Sequence, residues 1–60
     1  MYKVNDTVWD YFQDQNVTIL SVDDNTIPTT YTVMDDEGME YYVTEDDVSE
    51  SQEWNKKPKN

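Results

Sequence analysis

Apolar and polar residues alternate with a period of two along most of the chain, a pattern typical of half-buried β-strands. No window carries apolar residues at the i, i+3, i+4 and i+7 spacing of an amphipathic helix, so no long helix is predicted. Four runs are rich in β-branched and aromatic residues and are bounded by Asp, Asn, Pro or Gly, which favours a strand in each. They cover residues 7–12, 17–22, 29–34 and 39–44, and a fifth short strand is expected near residues 49–53.

The segment YTVMDDEGMEYYV, residues 31–43, allows two hairpin registers. A four-residue loop would place Val33 opposite Glu40 and mix core and solvent faces. A loop of residues 36–38 places Val33 opposite Tyr41 and gathers apolar side chains on one face, so this register is predicted. Such a loop needs a left-handed residue at its end, where the only glycine, Gly38, stands. We therefore expect Gly38 to serve the turn rather than a ligand.

The segment TEDDV, residues 44–48, follows the fourth predicted strand. Thr44 is a suitable cap for one helical turn, and Asp46 and Asp47 would lie near the positive end of that turn. Val48 would then return to the core. The sequence thus predicts a single helical turn before the last strand.

Chain length and residue types argue against an enzyme. Sixty residues allow one domain, and a chain of this size buries only about 60% of the surface that its unfolded form exposes. The absence of Cys and His removes thiolate chemistry and the commonest general base and transition-metal ligand. The acidic clusters do not match the spacing of an EF-hand loop. We therefore expect no enzyme activity, no metal site and no cofactor.

Charge is distributed unevenly, with fourteen acidic residues and four lysines. Three lysines lie in the last five residues, so residues 1–55 carry one lysine against fourteen acids, a formal charge of −13. This sign disfavours direct binding to nucleic acids or to anionic membranes. No apolar run approaches the ~18 residues of a membrane span and no signal-peptide core is visible, so a cytoplasmic protein is expected.

The order of elements resembles small SH3-like barrels, of the KOW-type and related bacterial or phage modules. The resemblance is carried by VNDTVW (residues 4–9), VTILSV (17–22), YTVMDDEGMEYYV (31–43) and TEDDV (44–48). It implies an all-β, SH3-like barrel of five strongly bent strands, partly closed, with a one-turn helix before the last strand. The apolar alternation is lost over residues 49–60, and Pro58 and the lysines follow, so the sequence predicts a barrel over residues 1–53 and a flexible Lys-rich tail over residues 54–60. RNA-binding KOW modules usually carry a glycine at the entry position and basic loops, whereas this chain has Asn5 and acidic loops.

The acidity and the surplus of aromatic residues favour a protein-binding module. A rim of carboxylates on a small rigid barrel can imitate a row of phosphates and attract a basic, nucleic-acid-handling protein, as a phage-type modulator would. The predicted contacts are acidic residues with two aromatic anchors. They are Asp23, Asp24, Asp35, Asp36, Glu37, Asp46 and Asp47, with Trp9 and Tyr42 as anchors.

Other interpretations of the same residues remain open. The carboxylates are also explained as an ordinary solvated surface, and the aromatic residues as covers for the barrel ends. An alternative function is a structural or assembly module that uses edge-strand and aromatic contacts, with no role for the charge. In either case we expect a monomer or a weak dimer.

Overall fold

The computed structural model describes residues 1–50 of the chain. They form five strands and one 3₁₀ turn, joined by loops. In chain order they are β1 (Thr7–Asp10), β2 (Gln15–Asp23), β3 (Thr30–Met34), β4 (Glu40–Thr44), the 3₁₀ turn (Glu45–Asp47) and β5 (Val48–Glu50). The prediction of an all-β chain with five strands and one helical turn before the last strand is confirmed. The predicted tail over residues 54–60, including Trp54, and the predicted strand residues 51–53 lie outside the described residues.

All five strands form one antiparallel sheet in the order β4-β3-β2-β1-β5. Strands β4 and β5 are the two edges, and no backbone ladder joins them in the described part of the chain. The sheet is therefore not closed as a barrel. Since each consecutive pair from β1 to β4 is antiparallel, short loops suffice for all three connections.

One face of the sheet carries the hydrophobic core, as the period-two alternation requires. Its buried members come from every strand. They are Val8, Val17, Ile19, Tyr31, Val33, Val43 and Val48, with Tyr2, Val22 and Tyr41 packed against them. Cross-strand pairs such as Ile19 with Val33 and Tyr31 with Val43 are the contacts that hold neighbouring strands together.

A β-bulge in β2 keeps two of these residues on the same face. Ile19 pairs with Val33 and Ser21 pairs with Thr32, so Leu20 is an extra residue without a partner on β3. Ile19 and Val22 are three positions apart and would face opposite sides of a regular strand. The extra residue brings both toward the core, as expected of a bulge.

The β3–β4 turn has the predicted register, with Val33 opposite Tyr41. The Asp35 amide donates to the Met39 carbonyl at 3.0 Å, and the Gly38 amide donates to the Asp35 carbonyl at 3.1 Å. Gly38 has a φ of 85°, in the left-handed region. The Asp35 carboxylate also accepts the Glu37 and Met39 amides, both at 2.9 Å. Backbone and side chain together therefore fix the turn.

The 3₁₀ turn is fixed by its own carboxylate. Asp47 accepts hydrogen bonds from the amide and the hydroxyl of Thr44, both at 3.1 Å. Val48 then enters β5 and is buried, as predicted. Asn5, which stands where the resemblance leads one to expect glycine, has a φ of 78°, a conformation that Asn adopts more readily than most residues.

Substitution of Gly38 tests the turn. An added Cβ would meet no atom within 4 Å, so any loss comes from backbone strain rather than from a clash. We expect Gly38→Ala to lower the free energy of unfolding by about 1–2 kcal/mol, measured by urea denaturation. Gly38→Asn should cost less, because Asn tolerates the left-handed region. Equal stability of the wild type and Gly38→Ala would contradict the assignment of the turn.

Candidate functional site

The carboxylates of the described residues divide into two classes by what they contact. Residues 1–50 contain thirteen of the fourteen acids. Six accept hydrogen bonds from the chain itself: Asp6, Asp10, Asp23, Asp35, Glu45 and Asp47. The other seven carboxylates accept no hydrogen bond within residues 1–50: Asp14, Asp24, Asp36, Glu37, Glu40, Asp46 and Glu50. Within residues 1–50, no hydrogen bond ties this second class to the fold.

The predicted acidic contacts fall into two groups at opposite ends of the β3–β4 hairpin. We call Asp35, Asp36, Glu37 and the neighbouring Glu40 the turn group. The end group is Asp23, Asp24, Asp46 and Asp47. Five residue pairs of antiparallel strand separate the groups, a distance of about 17 Å. The sequence prediction treated them as one rim, whereas the structure places them as two separate patches.

Backbone pairing assembles the end group. Asp23 pairs with Thr30, which pairs with Thr44, so the end of β2 and the start of the 3₁₀ turn lie at the same end of the sheet, with β3 between them. The Glu45 amide donates to the Thr29 carbonyl at 2.8 Å. The 3₁₀ turn is thereby held against the end of the β2–β3 loop, which carries Asp24.

The same 3₁₀ turn also contacts the β1–β2 loop. The Tyr11 amide donates to the Asp47 carbonyl at 3.2 Å. Tyr11 and Phe12 are 57% and 79% exposed, so two aromatic side chains stand in solvent beside the end group. Tyr11 and Phe12 are not among the predicted contacts, and the sequence pattern assigns both to the first predicted strand, residues 7–12.

The two predicted anchors are far apart. Tyr42 is 77% exposed on the outer face of edge strand β4, two residues from Glu40 of the turn group. Trp9 is half-buried on β1, between Asn16 of β2 and Ser49 of β5. Three strand spacings, about 14 Å, separate β1 from β4. Tyr42 can therefore act with the turn group, while Trp9 belongs to a different part of the surface.

A buried carboxylate, Asp10, organises the β1–β2 loop. Asp10 is 1% exposed, and one carboxylate oxygen accepts the amides of Phe12 and Gln13 at 2.8 and 3.3 Å. The other oxygen accepts the hydroxyl of Tyr41, to which the side-chain amide of Gln15 donates at 3.4 Å. These bonds end β1 at Asp10, so the prediction that the strand continues to residue 12 is wrong at this end. A buried acid with this many donors is a structural centre.

A second tyrosine–carboxylate pair joins the N-terminus to the 3₁₀ turn. The hydroxyl of Tyr31 donates to Glu45 and accepts the amide of Tyr2, the latter at 3.1 Å. The N-terminal ammonium lies 3.8 Å from the same carboxylate. Burial, with the hydrogen bonds to Glu45 and to Asp10, raises the pKa of Tyr31 and of Tyr41 above 10. Both hydroxyls are engaged within the fold.

The described part of the chain has an open groove, but no cluster of metal-ligating side chains and no helix that could span a membrane. Within residues 1–50, no three acidic, His or Cys side chains are placed to hold a metal ion. An open groove of about 430 Å³ is lined by Met1, Tyr2, Asp6, Thr7 and Glu50. No helix of residues 1–50 is long and apolar enough to cross a membrane.

Comparison with protein-family models, curated proteins and solved structures finds no match. Function is therefore inferred from the placement of charge, aromatic side chains and outward backbone groups in residues 1–50.

The Tyr41–Asp10 pair predicts a dependence of stability on alkaline pH. A raised pKa in the folded state means that the neutral phenol favours folding. This contribution is complete below the unfolded pKa of about 10 and is lost as the pH rises through the folded value. We expect Tyr41→Phe to lower the free energy of unfolding by about 1–3 kcal/mol at neutral pH, because buried Asp10 loses a donor. The variant should also lose less stability than the wild type between about pH 9 and pH 11.

The control for this prediction is Tyr42→Phe, which removes an exposed hydroxyl. Urea denaturation of both variants across this pH range supplies the measurement. Equal effects of the two substitutions at neutral pH would show that the Asp10 contact is not important for stability.

Proposed function

We propose that the chain is an acidic protein-binding module whose partner is a basic, nucleic-acid-handling protein. The observation that carries the proposal is the set of seven carboxylates that accept no hydrogen bond within residues 1–50. The same residues contain a single lysine against thirteen acids, a formal charge of −12. Such a surface attracts a positively charged partner and accelerates its association.

The sign of the charge selects the partner class. Nucleic-acid phosphates and anionic lipids are repelled by this surface, whereas a protein that binds phosphates presents Lys and Arg at spacings that carboxylates can meet. Little of this negative charge is neutralised within residues 1–50, because their one ion pair joins the N-terminal ammonium to Glu45, at 3.8 Å. The proposal therefore excludes direct nucleic-acid or membrane binding by this face.

The turn group is held in a fixed shape, which favours specific binding. Asp35 is engaged in the turn through its bonds to Glu37 and Met39, so Asp36 and Glu37 are presented on a defined backbone. A preorganised loop loses less conformational entropy on binding than a mobile one. We propose the SH3-like modules of phage type, which the order of elements resembles, as the source of this architecture. We also propose a cytoplasmic location and a monomeric or weakly dimeric state.

Neutralising the free members of the turn group tests the proposal. We expect the double variant Asp36→Asn, Glu37→Gln to associate with its partner about threefold to tenfold more slowly at low salt, because the local attractive field is reduced. Partners are obtained by capture from bacterial lysate on immobilised protein, identified by mass spectrometry, and their association rates measured by surface plasmon resonance. Asp35 is left unchanged because it supports the turn.

The matched control is Asp14→Asn, Glu50→Gln, which removes the same charge from other surfaces. It should slow association less than the turn-group variant. Captured proteins should be basic, and duplex DNA or about 0.5 M salt should release them. Capture that persists unchanged at this salt concentration would contradict the proposal.

An assembly module is the second candidate, and the open sheet favours it. Since β4 and β5 are not paired to each other, each edge can accept another strand. This function gives no role to the charge. It predicts that neutralising Asp36 and Glu37 leaves binding unchanged while Tyr42→Ala weakens it, as measured with the same captured partner.

A further inference from the structure

The alternation of hydrogen-bonded pairs along the β3–β4 hairpin shows which backbone groups of β4 point away from the sheet. Met39 bonds to Asp35 at one end of the hairpin, and Glu45 bonds to Thr29 at the other. Hydrogen-bonded pairs alternate with non-bonded pairs in an antiparallel ladder. Residues 39, 41, 43 and 45 therefore direct their amides and carbonyls toward β3, while 40, 42 and 44 direct theirs away from the sheet.

The outward amide of Thr44 is already used. It donates to the carboxylate of Asp47 at 3.1 Å, so the 3₁₀ turn closes that end of the edge. Within residues 1–50, the outward amides and carbonyls of Glu40 and Tyr42 have no hydrogen-bond partner. They are two residues apart, which is the spacing at which an edge strand bonds to a neighbouring strand. No other strand of residues 1–50 pairs with this edge of β4, which we call the free edge. It is thus a short template with two donors and two acceptors.

The side chains of β4 do not include the common guards against pairing between edge strands. Natural edge strands are commonly guarded by Lys, Pro or a bulge, and β4 contains none of these over Glu40–Thr44. Tyr42 is 77% exposed and Met39 is 61% exposed, so the edge carries apolar surface. Glu40, with Asp36 and Glu37 in the adjoining turn, makes the same edge acidic.

We propose that the free edge of β4 pairs with an extended segment of a partner protein in which Lys or Arg alternates with β-branched residues. Basic side chains of that segment would lie on the outer face beside Glu40 and over the ring of Tyr42. Its β-branched side chains would lie on the opposite face, beside Tyr41 and Val43. This inference rests on the proposed function and adds the binding mode and the pattern of the recognised sequence.

Charge complementarity selects this occupant over a second copy of the chain. An antiparallel pairing of two β4 edges would place the two turn groups at opposite ends of the interface, but two copies that each carry a formal charge of −12 over residues 1–50 still repel each other. A basic segment reverses the sign of these interactions while using the same backbone groups.

The test uses the synthetic peptide Lys-Val-Lys-Thr-Lys-Val-Lys as the probe for the full chain. We expect binding to slow the hydrogen exchange of the Glu40 and Tyr42 amides by about tenfold or more, because both become hydrogen-bonded. A peptide of the same sequence with alternate backbone amides N-methylated keeps the charge and loses the strand hydrogen bonds. It should bind about tenfold more weakly. Calorimetry gives the affinities, and NMR gives the exchange rates.

Tyr42→Pro and Tyr42→Ala form the matched pair of variants. Both remove the ring, but only proline removes the outward amide, and proline is tolerated where an edge amide faces solvent. Tyr42→Pro should therefore bind the peptide more weakly than Tyr42→Ala. If Tyr42→Pro fails to fold, the N-methylated peptide still decides the question.

The outcomes separate this inference from the proposed function. Equal, salt-dependent binding of both peptides, with no change in exchange at Glu40 and Tyr42, would overturn edge pairing and leave the acidic binding module standing. Dimerisation through β4, seen by sedimentation and abolished by Tyr42→Pro, would identify a second copy as the occupant and overturn the basic segment. Failure to capture any basic protein would overturn the proposed function itself.

Discussion

Val33 and Tyr41 lie opposite each other because the turn from Asp35 to Met39 contains three residues rather than four. This one register determines two properties of the hairpin. It places Tyr31, Val33 and Val43 on the core face, and it directs the backbone groups of Glu40 and Tyr42 away from the sheet. A slip of one residue would expose the core residues and turn the free backbone groups inward. The core and the proposed binding edge therefore depend on the same turn.

The carboxylates contribute to the fold as well as to the surface charge. Asp35 and Asp47 each hold a turn, and Asp10 is buried with three donors around it. Short polar side chains next to turns commonly accept nearby backbone amides in this way. Four of the acids that accept no hydrogen bond within residues 1–50 lie in the loop and turns that these carboxylates hold: Asp14, Asp36, Glu37 and Asp46. Structural carboxylates thus position these four.

Sequence alone was sufficient for the β3–β4 hairpin because a single glycine and one run of alternating residues allow only one register with a continuous apolar face. It was also sufficient for the 3₁₀ turn, where Thr44 and the following acids are a local signal. Both features depend on residues close together in the chain. Predictions of this kind succeed when the deciding contacts are local.

Contacts between distant residues explain what the sequence did not reveal. Asp10 has a partner in the interior because Tyr41, 31 positions later, donates to its carboxylate there. Leu20 forms a bulge because Ile19 and Val22 must both face a core built from other strands. The acids that look like one rim in the sequence separate into two groups because the β3–β4 hairpin places about 17 Å between them. None of these relations is visible without the sheet topology.

Charge and topology together favour heterotypic over homotypic association. A sheet with an unguarded edge strand tends to pair with other edges, and natural proteins usually suppress this with positive charge or proline. Here negative charge has the same effect on self-association, since a formal charge of −12 on residues 1–50 repels a second copy. A neutral partner is not repelled, and a partner of opposite charge is attracted. In the proposed binding mode, the acidity would both protect the edge from other copies of the chain and favour a basic strand.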